Sequence, residues 1–249
     1  MVFKTLKYRI IIVLLTLLVS ACKKDQCWNS YGSPVVDTVH LIQTFDHIEI
    51  GKNIQVEIYQ DSLNAIILHT GDKIANQYKF IFNDTLLQIE NENRCGFIRS
   101  PSKPSLIEIH FEDYHHLLFK TGKSIVFKDT IKTSEFILHH ENGGTNLALN
   151  VEVNRLELLV NNGAGSFDLG GHALSYASIK VLKQSYGSAL NFWSPSYILD
   201  NNSIGDLKVN LNESTAAIRI RGTGNILYHG VADSIIYLDT IGSGQLLPE

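Results

Sequence analysis

From Phe45 onward, apolar and polar residues alternate: Ile48 and Ile50, then Ile54, Val56 and Ile58, Leu147 and Leu149, Val151 and Val153, Leu156 and Leu158, and finally Leu207, Val209 and Leu211. Successive side chains of a strand point to opposite faces, so a period of two predicts short strands, each with one buried face. No segment of helix length beyond the N-terminal run carries a clean 3.6-residue stripe with caps. The chain is therefore expected to be all-β.

Glycine punctuates this pattern at Gly122, Gly144, Gly165, Gly187, Gly205, Gly224 and Gly244, with spacings of 22, 21, 22, 18, 19 and 20 residues. The flanks agree: Glu141-Asn-Gly-Gly144, Asn161-Asn-Gly-Ala-Gly165, Asn201-Asn-Ser-Ile-Gly205, Arg221-Gly-Thr-Gly224 and Thr240-Ile-Gly-Ser-Gly244 are followed by Leu147, Phe167, Leu207, Ile226 and Leu246. A repeat of about 20 residues holding two or three short strands suits one coil of a parallel β-helix. Coils stack about 4.8 Å apart, so six intervals extend roughly 30 Å. Glycine and asparagine are expected at the corners to supply positive φ, with asparagines bonding to neighbouring coils as ladders. Antiparallel hairpins, as in a sandwich or propeller, are the rival arrangement.

The N-terminus differs. Lys4, Lys7 and Arg9 precede an apolar run from Ile10 to Val19 that ends in Val19-Ser20-Ala21-Cys22. The run is shorter than the ~20 residues a bilayer crossing needs and reads as a signal peptide over 1–21. Its end resembles the bacterial lipobox, which implies cleavage before Cys22 and diacylglycerol on the Cys22 thiol. Two or more acyl chains, at about 0.8 kcal/mol per buried methylene, anchor a protein durably. Residues 22–44 read as a polar tether and 45–249 as the β-helix domain. The expected location is the cell envelope, as an outer-membrane lipoprotein; the short run Lys23, Lys24 and Asp25 leaves both the periplasmic and the outward face open. With Cys22 acylated, Cys27 and Cys95 remain as a pair in an oxidising compartment, and a disulfide between them is expected.

The lipobox, the opening Phe45-Asp-His-Ile-Glu-Ile, the Gly-x-Gly corners and the closing Gly222-Thr-Gly-Asn-Ile-Leu-Tyr-His-Gly230 together resemble the head GIN-domain family of auto-transporter adhesins. The resemblance runs from about Phe45 to the C-terminus. It implies an exported bacterial protein with a right-handed β-helix, shaped like a pectin lyase but without lyase residues. The repeats here are degenerate, since Gln184-Ser-Tyr-Gly187 and Lys120-Thr-Gly122 lack the second glycine.

Charge narrows the partners. With Lys4, Lys7 and Arg9 removed, 18 of the 21 Lys and Arg remain against 25 Asp and Glu, a net charge of −7. That argues against nucleic acid or anionic lipid. Thr121-Gly-Lys-Ser124 has the tail of a phosphate-binding loop, but Leu117 stands where that motif needs glycine, and no cofactor is expected. His115-His116 and His139-His140 fall out of register when counted back from Gly122 and Gly144, and adjacent strand residues face opposite ways, so no metal site is expected.

A polysaccharide-cleaving enzyme would need clustered acids with a basic partner, whereas Asp168, Asp200 and Asp206 are scattered; Asp168 between Phe167 and Leu169, and Arg219 and Arg221 flanking Ile220, are expected to point outward, and nothing in the sequence aligns their coils. Outward aromatics that could read a glycan or protein are Tyr186, Trp193, Tyr197, Tyr228 and Tyr237. Six Asp-Ser/Thr-apolar triplets, beginning at Asp37, Asp61, Asp84, Asp129, Asp233 and Asp239, resemble O-glycosylation sites of some Gram-negative envelope proteins and equally suit turns. The expected function is a non-catalytic, lipid-anchored adhesion module with a protein or glycan partner. Two alternatives stay open: a polysaccharide-active enzyme on the same scaffold, and a structural protein that self-associates through the open ends of its coil.

Overall fold

The computed structural model describes residues 31–41, 45–93, 104–141, 143–161, 163 and 165–249. The signal segment, Cys22, Cys27 and Cys95 lie outside the described residues. The strands are β1 (Pro34–His40), β2 (His47–Ile50), β3 (Gln55–Gln60), β4 (Ala65–Gly71), β5 (Tyr78–Asn83), β6 (Leu86–Asn91), β7 (Leu106–Phe111), β8 (His116–Phe119), β9 (Ile125–Phe127) and β10 (Ile131–Glu141). They continue as β11 (Asn146–Asn161), β12 (Ser166–Lys183), β13 (Tyr186–Trp193), β14 (Ser196–Ser203), β15 (Leu207–Asn210), β16 (Thr215–Ile220), β17 (Ile226–His229), β18 (Ser234–Asp239) and β19 (Leu246–Pro248). Among the described residues the only helical element is a 3-10 turn at Ala75–Gln77.

The strands wind into a parallel β-solenoid of about six turns. Its two faces follow from the pairing of the long strands: the first half of β12 pairs with β13, and its second half with β14. Face I therefore carries β6, β2 and β8, the second halves of β10, β11 and β12, and then β14, β16 and β18. Face II carries the first halves of β11 and β12, followed by β13, β15, β17 and β19. The expected repeat is visible in its register: Leu147, Phe167, Gly187, Leu207, Ile226 and Leu246 lie side by side, at steps of 20, 20, 20, 19 and 20 residues.

Alternation places one residue of each pair inside. On face I, Leu87, Ile48, Leu117, Leu138, Leu158, Ile179, Leu199, Ile218 and Tyr237 form one continuous rung-on-rung ladder. All but Tyr237 are at most 2% exposed. Each such burial is worth roughly 1.5–3 kcal/mol, and these ladders are the main source of the solenoid's stability.

The N-terminal end departs from chain order. After β2 and β3 the chain leaves the stack, returns as β6 and β7 on their outer sides, and then crosses to β8 and β9 on their inner sides. β5 then pairs antiparallel with β6, β4 with β7, and β1 with β4, so this end is closed by antiparallel strands. Pro34–His40, expected as tether, is instead β1, paired with β4 along its whole length.

The corner glycines are there for a different reason from the one expected. Gly222, Gly224, Gly242 and Gly244 have no positive φ; among the described residues, the glycines that do are Gly32, Gly171 and Gly230. A Cβ on Gly224 would overlap the Gly205 carbonyl oxygen, one on Gly244 that of Gly224, and one on Gly242 that of Gly222. The Gly-x-Gly corners are thus sites of direct backbone contact between coils. Positive φ falls instead on Asn53, Asn64, Asp84, Lys183 and Glu213 at other turns, so asparagine does supply it at two of them. The polar ladder does form: Asn225 N donates to Asp206 Oδ1 (2.7 Å) and Gln245 N to Asn225 Oδ1 (3.0 Å).

Candidate functional site

The outward side chains of the two faces are the surface this fold offers a partner. On face II, Lys128, Asp129, Asn150, Asp168 and Asn191 surround a groove of about 330 Å³ over Gly170. The register explains the grouping, since Asn150, Gly170 and Asn191 are neighbours on three consecutive coils, and Asp168 lies between Ala148 and Ser188. Glycine at 170 leaves room for the Asn150 side chain, whose Oδ1 occupies the space a Cβ would take. The groove is lined by hydrogen-bonding groups of both senses, which suits hydroxyl-rich or main-chain ligands.

On face I, Glu135, Arg155, Glu157 and Tyr176 line a groove of about 350 Å³. Beside it stands a cluster the sequence reading missed: the His47 and His116 rings lie 3.9 Å apart between centroids, and His116 and His139 4.9 Å. The two histidine pairs are offset as expected, with His116 opposite Ile137 and His139 opposite Leu118, yet their outward rings touch diagonally. Of their pair partners, His140 turns inward and is fully buried, whereas His115 precedes β8 and stays partly exposed beside Asp113. Among the described residues no three metal-ligating side chains are arranged to hold a metal ion.

Burial first, and the neighbouring His47 and His139 next, push the His116 imidazole down to about 4; burial likewise lowers His47. The opposing charges that face the cluster are Glu49 and Glu157, with Lys120 adding to the downward push on His47. A histidine whose folded pKa is depressed favours folding fully above its unfolded value of about 6.5, and the advantage disappears as pH falls through the folded value. Stability is thus expected to drop between pH 6.5 and 4 by about 1 kcal/mol from this cluster, after allowance for solvent on its open side. His116→Gln should flatten that part of the stability–pH curve in urea titrations; an unchanged drop would remove the cluster from the account.

The candidate acids and bases meet at one place, Asp200 with Arg221, and not around Asp168. Asp168 lies on face II and Arg219 on face I. Asp200 is buried against Arg221, whose Nε donates to Oδ1 at 3.3 Å and whose Nη2 bonds Oδ2. Asp206 accepts from the Asn225 backbone. The last two acids hold corners of the fold.

The aromatic expectation is corrected at three positions. Tyr197 is 1% exposed and points inward, with its hydroxyl donating to Phe192 O at 3.2 Å. Tyr228 takes an inward position between Val209 and Pro248. Tyr237 also stands on an inward rung, above Ile218, and is exposed because nothing in the described chain stacks on it. Tyr186 is outward and open, and half-buried Trp193 donates its indole N–H to Asn212 O at 2.9 Å. Of the Asp-Ser/Thr triplets, those at Asp61, Asp84, Asp129 and Asp233 fall between strands, Asp239 ends β18, and Asp37 lies within β1.

Among the described residues no helix is long and apolar enough to cross a membrane. Comparison with solved structures finds the same fold in a "putative adhesin" of Bacteroides fragilis, at 17% identity and a TM-score of 0.77, covering 89% of this chain and 100% of that one. A "putative adhesin" of Parabacteroides merdae matches at 14% identity and 0.64, over 88% and 98% of the two chains. A "putative lipid binding protein" of Parabacteroides distasonis matches at 16% and 0.57, over 89% and 99%. No curated protein matches the chain in sequence. The family model described as "Putative auto-transporter adhesin, head GIN domain" matches residues 44–232, so the chain belongs to the head GIN-domain adhesin family.

Proposed function

We propose that this chain is a non-catalytic adhesion module of the bacterial cell envelope, anchored by lipid at Cys22, whose outward solenoid surface binds a protein or glycan. The observation that carries this reading is the family match over 44–232. The polar groove around Asn150, Asp168 and Asn191 supports it as a contact surface, and so does the separation of Asp168 from Arg219 on opposite faces. A disulfide between Cys27 and Cys95, closing a loop of 69 residues by count, would add about 4 kcal/mol on the chain-entropy estimate.

The anchor and the adhesion are tested together in cells. Cells producing the native chain are expected to hold it in the membrane fraction and to adhere to a matrix- or glycan-coated surface. Cys22→Ser should move the protein to the soluble or secreted fraction, or leave an uncleaved precursor, and abolish adhesion due to this protein. A Cys22→Ser chain that is processed normally and stays with the membrane would contradict the anchor. Adhesion unaltered by deleting the whole gene would contradict the function.

A further inference from the structure

The two ends of the solenoid are finished differently. At the N-terminal end the face I ladder stops at Leu87, and Leu87 is itself covered, since β5 lays Phe82 against it in an antiparallel pair. The outermost strands there carry the features that discourage further pairing: Pro34, Asp37 and His40 on β1, and Lys79 on β5. At the other end the ladder stops at Tyr237, which is 60% exposed. Among the described residues β18 bonds only to β16, and β19 only to β17, so each presents one unpaired backbone edge. Around those edges Val231, Ile236, Tyr237, Leu238, Ile241 and Leu247 are all exposed. A solenoid end needs a polar cap to remain soluble alone, and this one has an apolar surface with two open edges.

We propose that the C-terminal end is a dimerisation surface, on which a second copy of this chain stacks end to end about a two-fold axis. The last coil ends in β18 on face I and β19 on face II, each with one open edge. A two-fold axis perpendicular to the solenoid therefore lays an antiparallel strand on β18 and another on β19, continuing both sheets through the junction. Charge permits a like partner. Ile235 to Leu238, the middle of β18, is uncharged, and the chain has no Lys or Arg after Arg221. Of the acids at the margin, Glu249 is bonded to Lys208, Asp239 stands in strand register with Arg219, and Asp233 is exposed just before β18, outside that uncharged stretch.

Size also fits. Two sheets about 10 Å apart, with their side chains and strands of up to six residues, present a cross-section of roughly 500 Å². Pairing two copies then buries about 1,000 Å² in total, the lower bound for a specific interface, so a weak, reversible dimer is expected, to be sought in the range of about 1–100 µM. With one end closed by antiparallel strands, the assembly stops at two copies.

The test is sedimentation equilibrium of the full chain carrying Cys22→Ser, with and without reductant, from about 1 to 100 µM to span that range. A reversible shift from one to two chains is expected in both conditions, with the thermal midpoint rising with concentration, as it does when subunits stabilise one another. Tyr237→Lys places a charge on the last rung, where the free chain leaves it in water and the dimer would bury it. That variant should stay monomeric and lose the concentration dependence while keeping the native circular dichroism spectrum. If it unfolds, Leu246→Lys, on the last inward rung of β19, serves the same purpose. A chain that is monomeric at the highest concentration would overturn the proposal. So would a dimer that vanishes on reduction, a dimer untouched by both substitutions, or growth beyond two copies.

Discussion

Replacing Gly224 by valine is expected to destabilise the chain by about 3 kcal/mol, while Gly144→Ala changes stability by no more than about 0.5 kcal/mol. Both glycines sit at corners of the repeat and look equivalent in sequence. In space they differ: a Cβ on Gly224 would strike the backbone of Gly205 on the coil below, and one on Gly144 would meet nothing within 4 Å. Neither has a positive φ, so conformational freedom does not separate them. Backbone cannot move aside as a side-chain tip can, so the whole coil spacing must open to admit the substituent. Urea unfolding of the two variants checks this, and similar losses for both would mean that the corners need glycine for its torsions after all.

The second large effect is expected at Phe192. It is fully buried at a corner of face II, with its ring edge-on to Tyr197 at 6.2 Å, and its carbonyl accepts the Tyr197 hydroxyl. Phe192→Ala removes the ring from a corner fixed by coils on both sides, so little collapse can fill the space, and a loss of about 3–5 kcal/mol follows. Phe192→Leu should lose only about 1 kcal/mol, because it keeps most of the volume. Tyr197→Phe should also lose about 1 kcal/mol, the value of one buried hydrogen bond. Chemical denaturation of the three proteins gives the order directly; a Phe192→Ala loss no larger than that of Phe192→Leu would show the corner to be loosely packed.

The C-terminal part of the solenoid was legible because its code is local and repeated. From Leu147 to Leu246 each inward residue recurs about 20 positions on, at a spacing set by the coil itself. The N-terminal part was not, because there the chain stacks out of order. Ile48 pairs with Leu117, 69 residues away by count, and with Leu87 on its other side. No period connects such residues. The same jump hid His47 from the histidine cluster: His116 and His139 were visible as parts of two pairs, but their third member is brought in by the β6–β7 excursion. Val35, Val36 and Val39 on β1 read as polar-flanked tether because that strand gains its partner, β4, only in the fold.

Tyr197 and Tyr237 were misplaced for one reason. Alternation fixes that neighbours face opposite ways and leaves open which member faces inward when both are apolar. Tyr197 stands beside Ile198, and Tyr237 between Ile236 and Leu238. Register with the preceding coil decides, and it puts both tyrosines inside.

The claim that this solenoid binds without turning over its ligand is tested most directly by presenting the purified chain with a panel of immobilised acidic and neutral polysaccharides and matrix proteins. Retained protein and released saccharide are then measured in the same wells. The account predicts saturable retention that Asn150→Ala, Asp168→Ala and Asn191→Ala together weaken at least about tenfold, a loss of roughly 1.4 kcal/mol, with no new reducing ends or unsaturated sugars released. Release of saccharide that Asp168→Asn or Arg219→Gln abolishes would contradict it.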